Sequence, residues 1–336
     1  MGSLKIGDTV GGRYKITKIL GEGAQSCVYS VSDLQLPGAI WALKQLRKEE
    51  HKDADAEQAL LMFKREAEIL RKLRHPAFPA FIDYLDSDEP VLVMERIKGM
   101  SLFGILKRSS APLPLPSVLA AALQICSALQ LLHEQNPPII YRDLKPSNLI
   151  LSTGGLIRLI DFGIARFRRS AGAKDTQELG TPGYSAPEQY RGNSSVQSDL
   201  YALGVIIFQM LTLKDPQDCG FIFPRLSEAD PGIPEALSEL TASCLDLDPA
   251  RRPRSAAQMK EELAEILSEA PLSGKADTQI LNSGLAALAR QARYLQTVHK
   301  PSKADKLWRR LKAAGRKLLN PEPKPAETDG TKPKTE

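Results

Sequence analysis

The apolar residues of this chain change period part-way along, and that change limits the fold more than any other feature. Through Tyr14-Lys15-Ile16-Thr17-Lys18-Ile19-Leu20 and again through Ile40-Trp41-Ala42-Leu43-Lys44-Gln45-Leu46, apolar and polar residues largely alternate, the signature of strands with one covered face. Phe63, Ala67, Leu70 and Leu73 recur instead at helical spacing, and strands resume to about Ile97. From Pro116 onward helices dominate, with Val118, Ala122, Ile125, Cys126, Leu129 and Leu132 on one face. Tyr201 to Leu211 is apolar on nearly all sides, too short to cross a bilayer, and reads as a buried helix. The expectation is an α+β fold of two lobes: a small β-rich lobe with one main helix over about 14–97, and a mostly helical lobe over about 98–267.

Residues with chemical potential gather in the second lobe. Tyr141-Arg142-Asp143-Leu144-Lys145-Pro146-Ser147-Asn148 is followed, thirteen residues after Asn148, by Asp161-Phe162-Gly163. A single Asp or Asn near a turn ordinarily caps a helix or closes an Asx-turn. The set together is different. It supplies a carboxylate able to accept a proton, an ammonium able to neutralise a transferred anion, and two oxygen ligands for magnesium within about twenty residues.

The first lobe holds matching parts. Gly21-Glu22-Gly23-Ala24-Gln25-Ser26-Cys27-Val28 follows a strand, and two glycines let backbone close over phosphates without side-chain collision. Ser26 follows with no third glycine, and taken alone the stretch reads first as a plain hairpin with a Gly-rich turn. Lys44 projects from an apolar strand, and Glu66 and Glu68 on the following helix are both candidates for its partner. Glu68 also reads as a solvated helix residue.

These elements together resemble the eukaryotic-type (Hanks-type) serine/threonine protein kinases over about three quarters of the chain, with a bacterial style at Tyr184-Ser185-Ala186-Pro187-Glu188-Gln189-Tyr190. The resemblance implies the bilobal protein-kinase fold and an ATP- and Mg2+-dependent enzyme, Mn2+ being an alternative metal. It implies Asp143 as catalytic base, Lys145 beside it, Lys44 on the ATP phosphates held by Glu66, and Asn148 and Asp161 as metal ligands. Nucleotide contacts are implied at Leu20, Gly21, Glu22, Gly23, Ala24, Gln25, Ser26, Cys27, Val28, Ala42, Lys44, Met94, Glu95, Ile97 and Ile150. Met94 would stand behind the adenine, with backbone groups of Glu95 and Ile97 reading its edge.

The resemblance carries further roles. Tyr141, where histidine is commoner, would pack on Phe162 in a stack with Leu70 and Phe81, and Asp199 would bond the backbone around Arg142. Glu188 would pair with Arg252. Arg142 and Arg166 would converge on a phosphorylated loop residue, Thr176 or secondarily Ser170, making autophosphorylation an expectation. Lys145 and Gly180-Thr181 point to Ser/Thr hydroxyls of protein substrates. The alternatives are a nucleotide-binding pseudokinase or scaffold, and a small-molecule kinase, which usually lacks the Ala186-Pro187-Glu188 element.

Charge sets the C-terminal part apart. Residues 271–336 hold 14 Lys and Arg against 6 Asp and Glu, so the rest carries 31 against 34 and the net +5 arises from the tail. The expected organisation is an N-terminal extension over 1–13, the catalytic domain over 14–267, a helical basic tail over 268–319 and a disordered terminus over 320–336. Ile280–Val298 and Lys303–Leu319 read as helices, the second strongly basic around a Leu307, Leu311, Ala314 and Leu318 face with Trp308. Residues 300–319 could meet an anionic membrane surface or an acidic protein, fold back on the rest of the chain, or form only a solvated helix packed on its neighbour; nucleic-acid binding is not expected. Four scattered cysteines fit a reducing compartment, and Cys27 reads as a packed thiol. With no leader and no apolar run of spanning length in view, a cytoplasmic protein is expected, with a peripheral place at the membrane as the alternative.

Overall fold

The computed structural model describes residues 4–23, 26–47, 53–163, 166–167, 180–270 and 283–298. Strands β1 (Thr9–Val10), β2 (Tyr14–Glu22), β3 (Ser26–Asp33) and β4 (Ile40–Leu46) lead into helix α1 (Asp53–Lys72), followed by β5 (Phe81–Leu85) and β6 (Val91–Glu95). They form one antiparallel sheet in the order β1-β2-β3-β4-β6-β5. Strand alternation divides its side chains between two layers. Tyr14, Ile16, Cys27, Tyr29, Val31, Leu43, Val91 and Val93 make one buried cluster. Ala42, Leu46, Leu92 and Met94 belong to the other, with Phe63, Ala67 and Leu70 of α1. Each large apolar side chain buried there contributes about 2 kcal/mol. Lys44, two residues from both Ala42 and Leu46, falls on that same α1-facing side.

The second lobe begins with β7 (Gly99–Ser101), α2 (Leu102–Arg108) and α3 (Leu115–His133). Then come β8 (Ile139–Ile140), the hairpin β9 (Leu149–Ser152) and β10 (Ile157–Leu159), and β11 (Arg166–Phe167). The remainder is helical: α4 (Val196–Thr212), α5 (Pro216–Cys219), α6 (Leu226–Ala229), α7 (Glu235–Cys244), α8 (Ala256–Glu269) and α9 (Ser283–Val298). Strand β9 pairs with both β7 and β10, and β11 pairs with β8. Residues of α3, α4, α7, α8 and α9 share the large core.

Three points differ from the sequence reading. Residues 1–13 contain β1, which pairs with β2 through Thr9↔Lys15 and Val10↔Tyr14 and so joins the sheet. Helix α1 begins ten residues before Phe63, because the Asp53-to-Met62 stretch extends the same helix. Helix α3 has the length and mean hydropathy, 1.7, of a membrane span, so an apolar run of spanning length does exist; 67% of that window is buried within the protein.

Candidate active site

The loop bearing Asp143 is held from behind. The buried carboxylate of Asp199 on α4 accepts the backbone amides of Tyr141 at 2.9 Å and Arg142 at 2.8 Å, and lies 2.8 Å from His133 Nε2. Gln189 Nε2 donates to the Arg142 carbonyl at 3.0 Å. These bonds support Arg142 at φ 71°, a left-handed conformation costly for a residue with a Cβ. Tyr141 donates its hydroxyl to the Ile160 carbonyl and packs edge-on against Phe162, ring centroids 5.3 Å apart. Burial raises the Tyr141 pKa well above its ordinary value, so it acts as a neutral donor.

Past Asp143 the chain turns through a short 3-10 segment, Pro146–Asn148, which brings Asn148 back onto the loop. Asn148 Nδ2 donates to Asp143 Oδ2 at 2.8 Å and to the Asp143 carbonyl at 3.0 Å. Lys145 Nζ lies 2.9 Å from Asp143 Oδ2 and donates to Thr181 Oγ1 at 3.0 Å. The Thr181 hydroxyl in turn donates to Asp143 Oδ1 at 2.8 Å. Asp143 therefore already receives a side-chain hydroxyl hydrogen.

A second cluster joins the lobes. Lys44 Nζ contacts Glu66 Oε2 at 2.7 Å, Glu66 Oε1 at 3.0 Å and Asp161 Oδ1 at 2.9 Å. Burial by itself lowers the Lys44 pKa, but Asp161 and Glu66 outweigh it and the net shift is upward, so the lysine stays charged. Burial raises the Glu66 pKa against the pull of Lys44, whereas Lys44 holds Asp161 below the usual aspartate value. Glu66 Oε1 also accepts the Phe162 amide at 3.2 Å. Asp161 stands at φ 66°, with Oδ1 accepting the Gly163 amide at 3.2 Å, and 46% of its side chain is exposed.

The sheet sorts the expected nucleotide contacts. Val28, Ala42 and Met94 share the α1-facing layer with Lys44, while Cys27 turns to the opposite cluster, fully buried with Sγ 3.5 Å from the Gly21 carbonyl. Cys27 therefore lines no cleft with its side chain, as the one-residue step along β3 requires. Gly21 and Glu22 remain in β2, paired with Val28 and Cys27, and Gly23 N donates to the Ser26 carbonyl at 2.9 Å. Leu20 is exposed, Ile97 and Ile150 are half-buried, and Ala24 and Gln25 lie outside the described residues. The segment after β6 passes so close to β9 that a Cβ on Gly99 would lie 2.8 Å from Ile150 Cγ2.

Some residues here escape sequence reading. Glu95 is ion-paired through its side chain with Arg158 of β10 at 2.6 Å, and the same Arg158 nitrogen donates to the Phe78 carbonyl at 2.7 Å. The ring against Phe162 is that of Phe78, centroids 5.6 Å apart, rather than Phe81. Nothing in the spacing singles out Phe78 or pairs Arg158 with Glu95. Further down, Arg252 binds Glu188 through both nitrogens at 2.6 and 2.9 Å, as expected, and stacks on Tyr201 with 4.9 Å to the ring centroid. The Arg166 side chain, Ser170, Thr176 and the basic segment Lys303–Leu319 lie outside the described residues.

A model of the protein kinase domain matches residues 14–263. The chain belongs to the protein kinase family. Among its relatives, this kinase-family chain is 31% identical over 279 residues to the probable serine/threonine-protein kinase PknB of Lactococcus lactis, covering 79% of this chain and 44% of the other. It is 31% identical over 304 residues to the serine/threonine-protein kinase PknB of Mycobacterium tuberculosis, covering 82% and 47%. The crystal structure of the Mycobacterium tuberculosis PknI kinase domain aligns with a TM-score of 0.63 at 27% identity, covering 79% of this chain and all of the other. The kinase-family chain thus spans less than half the length of these two curated relatives, and its likeness is to bacterial serine/threonine kinases.

Proposed function

We propose that this protein transfers the γ-phosphate of ATP to serine and threonine hydroxyls of proteins, with Mg2+, and phosphorylates its own activation segment at Thr176 or Ser170. The observation that carries the reading is the Thr181 hydroxyl bonded to Asp143 Oδ1 beside Lys145. A carboxylate that accepts one hydroxyl hydrogen at 2.8 Å is placed to orient another. Lys145, adjacent, offers positive charge where negative charge would develop on the transferred group. Lys44, kept charged by two carboxylates, offers the same to the nucleotide's phosphates.

The oxygen set fits a magnesium ion. Asn148 turns its Nδ2 onto Asp143 and so presents its carbonyl oxygen, and Asp161 is an ionised carboxylate with an exposed edge. Hard oxygen donors of this kind suit Mg2+, and Asn148 and Asp161 would hold it. When bound, the ion supplies charge neutralisation across the phosphates.

Radiolabelled ATP with wild type and Asp143→Asn, followed by phosphosite mapping, tests the proposal. Transfer to Ser or Thr in wild type, reduced about 10²- to 10⁴-fold in the variant, supports it. Nucleotide binding without transfer in wild type would favour the scaffold instead. For the basic residues 300–319, liposome flotation with and without residues 300–336 tests contact with an anionic surface by a cytoplasmic protein; equal flotation removes that idea.

A further inference from the structure

We infer that α9 is a positioning element for the β9–β10 hairpin, acting through Ala287 and Gln291, and so serves the metal-ligand residues although it lies beyond the family match at 14–263. The hairpin joins those residues directly. Strand β9 starts at Leu149, next to Asn148, and β10 ends at Leu159, two residues before Asp161. Whatever holds the far end of this hairpin therefore sets how much its open end can wander.

That far end is clamped between α3 and α9. Gly155, in the turn, adopts φ +80°, and a Cβ there would lie 2.7 Å from Ala287 Cβ and 3.0 Å from the Leu288 amide nitrogen. The turn thus rests on the backbone of α9 with no space between. Gln124 of α3 ties the three pieces together. Its Nε2 donates to the Gly155 carbonyl at 2.8 Å and to Gln291 Oε1 at 2.9 Å, while its Oε1 accepts the Ile157 amide at 2.8 Å. Ser117 on α3 adds a bond to the Leu285 carbonyl at 3.3 Å, and Leu288 and Ala292 are buried against the core. A hairpin pinned by packing against α9 on one side and by two Gln124 bonds on the other, with Gln124 itself held by Gln291 of α9, has few low-energy openings.

The magnesium half of the consequence rests on the kinase reading; the rigidity half does not. The test uses the full chain as wild type, Ala287→Leu, Gln291→Leu and Gln291→Glu. Hydrogen exchange is followed across residues 149–160 without nucleotide, and binding of a fluorescent ATP analogue is titrated against Mg2+. In Ala287→Leu, hairpin exchange should rise about tenfold with β2, β3 and β4 unchanged. The Mg2+ needed for half-saturation should rise about three- to tenfold, less than the roughly 10- to 100-fold typical of groups bonded directly to metal ligands, because α9 acts through the hairpin. Gln291→Leu should move both readouts the same way by less. Gln291→Glu keeps an acceptor for Gln124 Nε2 and should restore them.

Faster exchange confined to α9, an unmoved Mg2+ titration, or equal behaviour of the two Gln291 variants would overturn the inference. Should Ala287→Leu fail to fold, the Gln291 pair decides. Wild type that binds no nucleotide would remove the kinase reading, and the hairpin exchange would still decide whether α9 holds β9–β10.

Discussion

The carboxylate of Asp199 accepts the backbone amide of Arg142 at 2.8 Å, and Arg142 stands at φ 71°. A helix residue 57 positions away thus keeps the loop bearing Asp143 in a backbone shape it would not adopt alone. In Asp199→Asn, one carboxamide oxygen must serve two amides. A loss of about 1–3 kcal/mol is expected, because the carboxamide NH2 would face a backbone amide and leave that buried donor unsatisfied. Urea denaturation checks this, and a transfer assay should show the rate falling at least about tenfold as Asp143 loses its placement.

Lys44→Met leaves Glu66, 1% exposed, without its main counter-charge. The expected cost is about 3–5 kcal/mol, the usual price of stranding a buried charge. Lys44→Met with Glu66→Leu should recover at least half of it by chemical denaturation. A double variant no more stable than the single one would show that the ion pair does not govern this region.

Arg252 is buried, binds both oxygens of Glu188, and also donates to the carbonyls of Asp246 and Gln197. Arg252→Lys keeps the charge but cannot make the paired contacts. It should lower stability by about 2 kcal/mol, and Arg252→Ala by about 3–5 kcal/mol. Equal melting temperatures for wild type and Arg252→Lys would contradict this.

Lys44 keeps the folded-state pKa of Asp161 below its unfolded value. The stability this linkage provides is complete above the unfolded aspartate pKa, about 4, and is lost as pH falls through the lower folded value. The Tm gap between wild type and Asp161→Asn should therefore narrow as pH drops from about 5 to about 2. Scanning fluorimetry across that range reads it directly, and a gap that widens on acidification would reverse the sign.

Much of this protein was legible before any coordinate. The period-two stretches at Tyr14–Leu20 and Ile40–Leu46 became strands of one sheet, and the Phe63–Leu73 face became the core-facing side of α1. Asp143, Lys145, Asn148 and Asp161 could be picked out because their chemistry is written in residue type and in short spacing. Local periodicity reports which side of an element is covered, since burial of apolar surface dominates folding.

It does not report by what. Cys27 and Val28, adjacent in the sequence, end in opposite layers, and a weak alternation could not say which faced the cleft. Phe78 rather than Phe81 meets Phe162 because the chain turns at His75-Pro76 before β5 begins. Arg158 with Glu95 and Gln124 with Gln291 bridge 63 and 167 residues, and each pair forms only when separate elements close on one another. The residue types, their order and the two lobes belonged to the sequence; the partners of each charge, and the seat of α9 on the hairpin, were decided by packing, because a side chain's contacts depend on elements that its own neighbours do not encode.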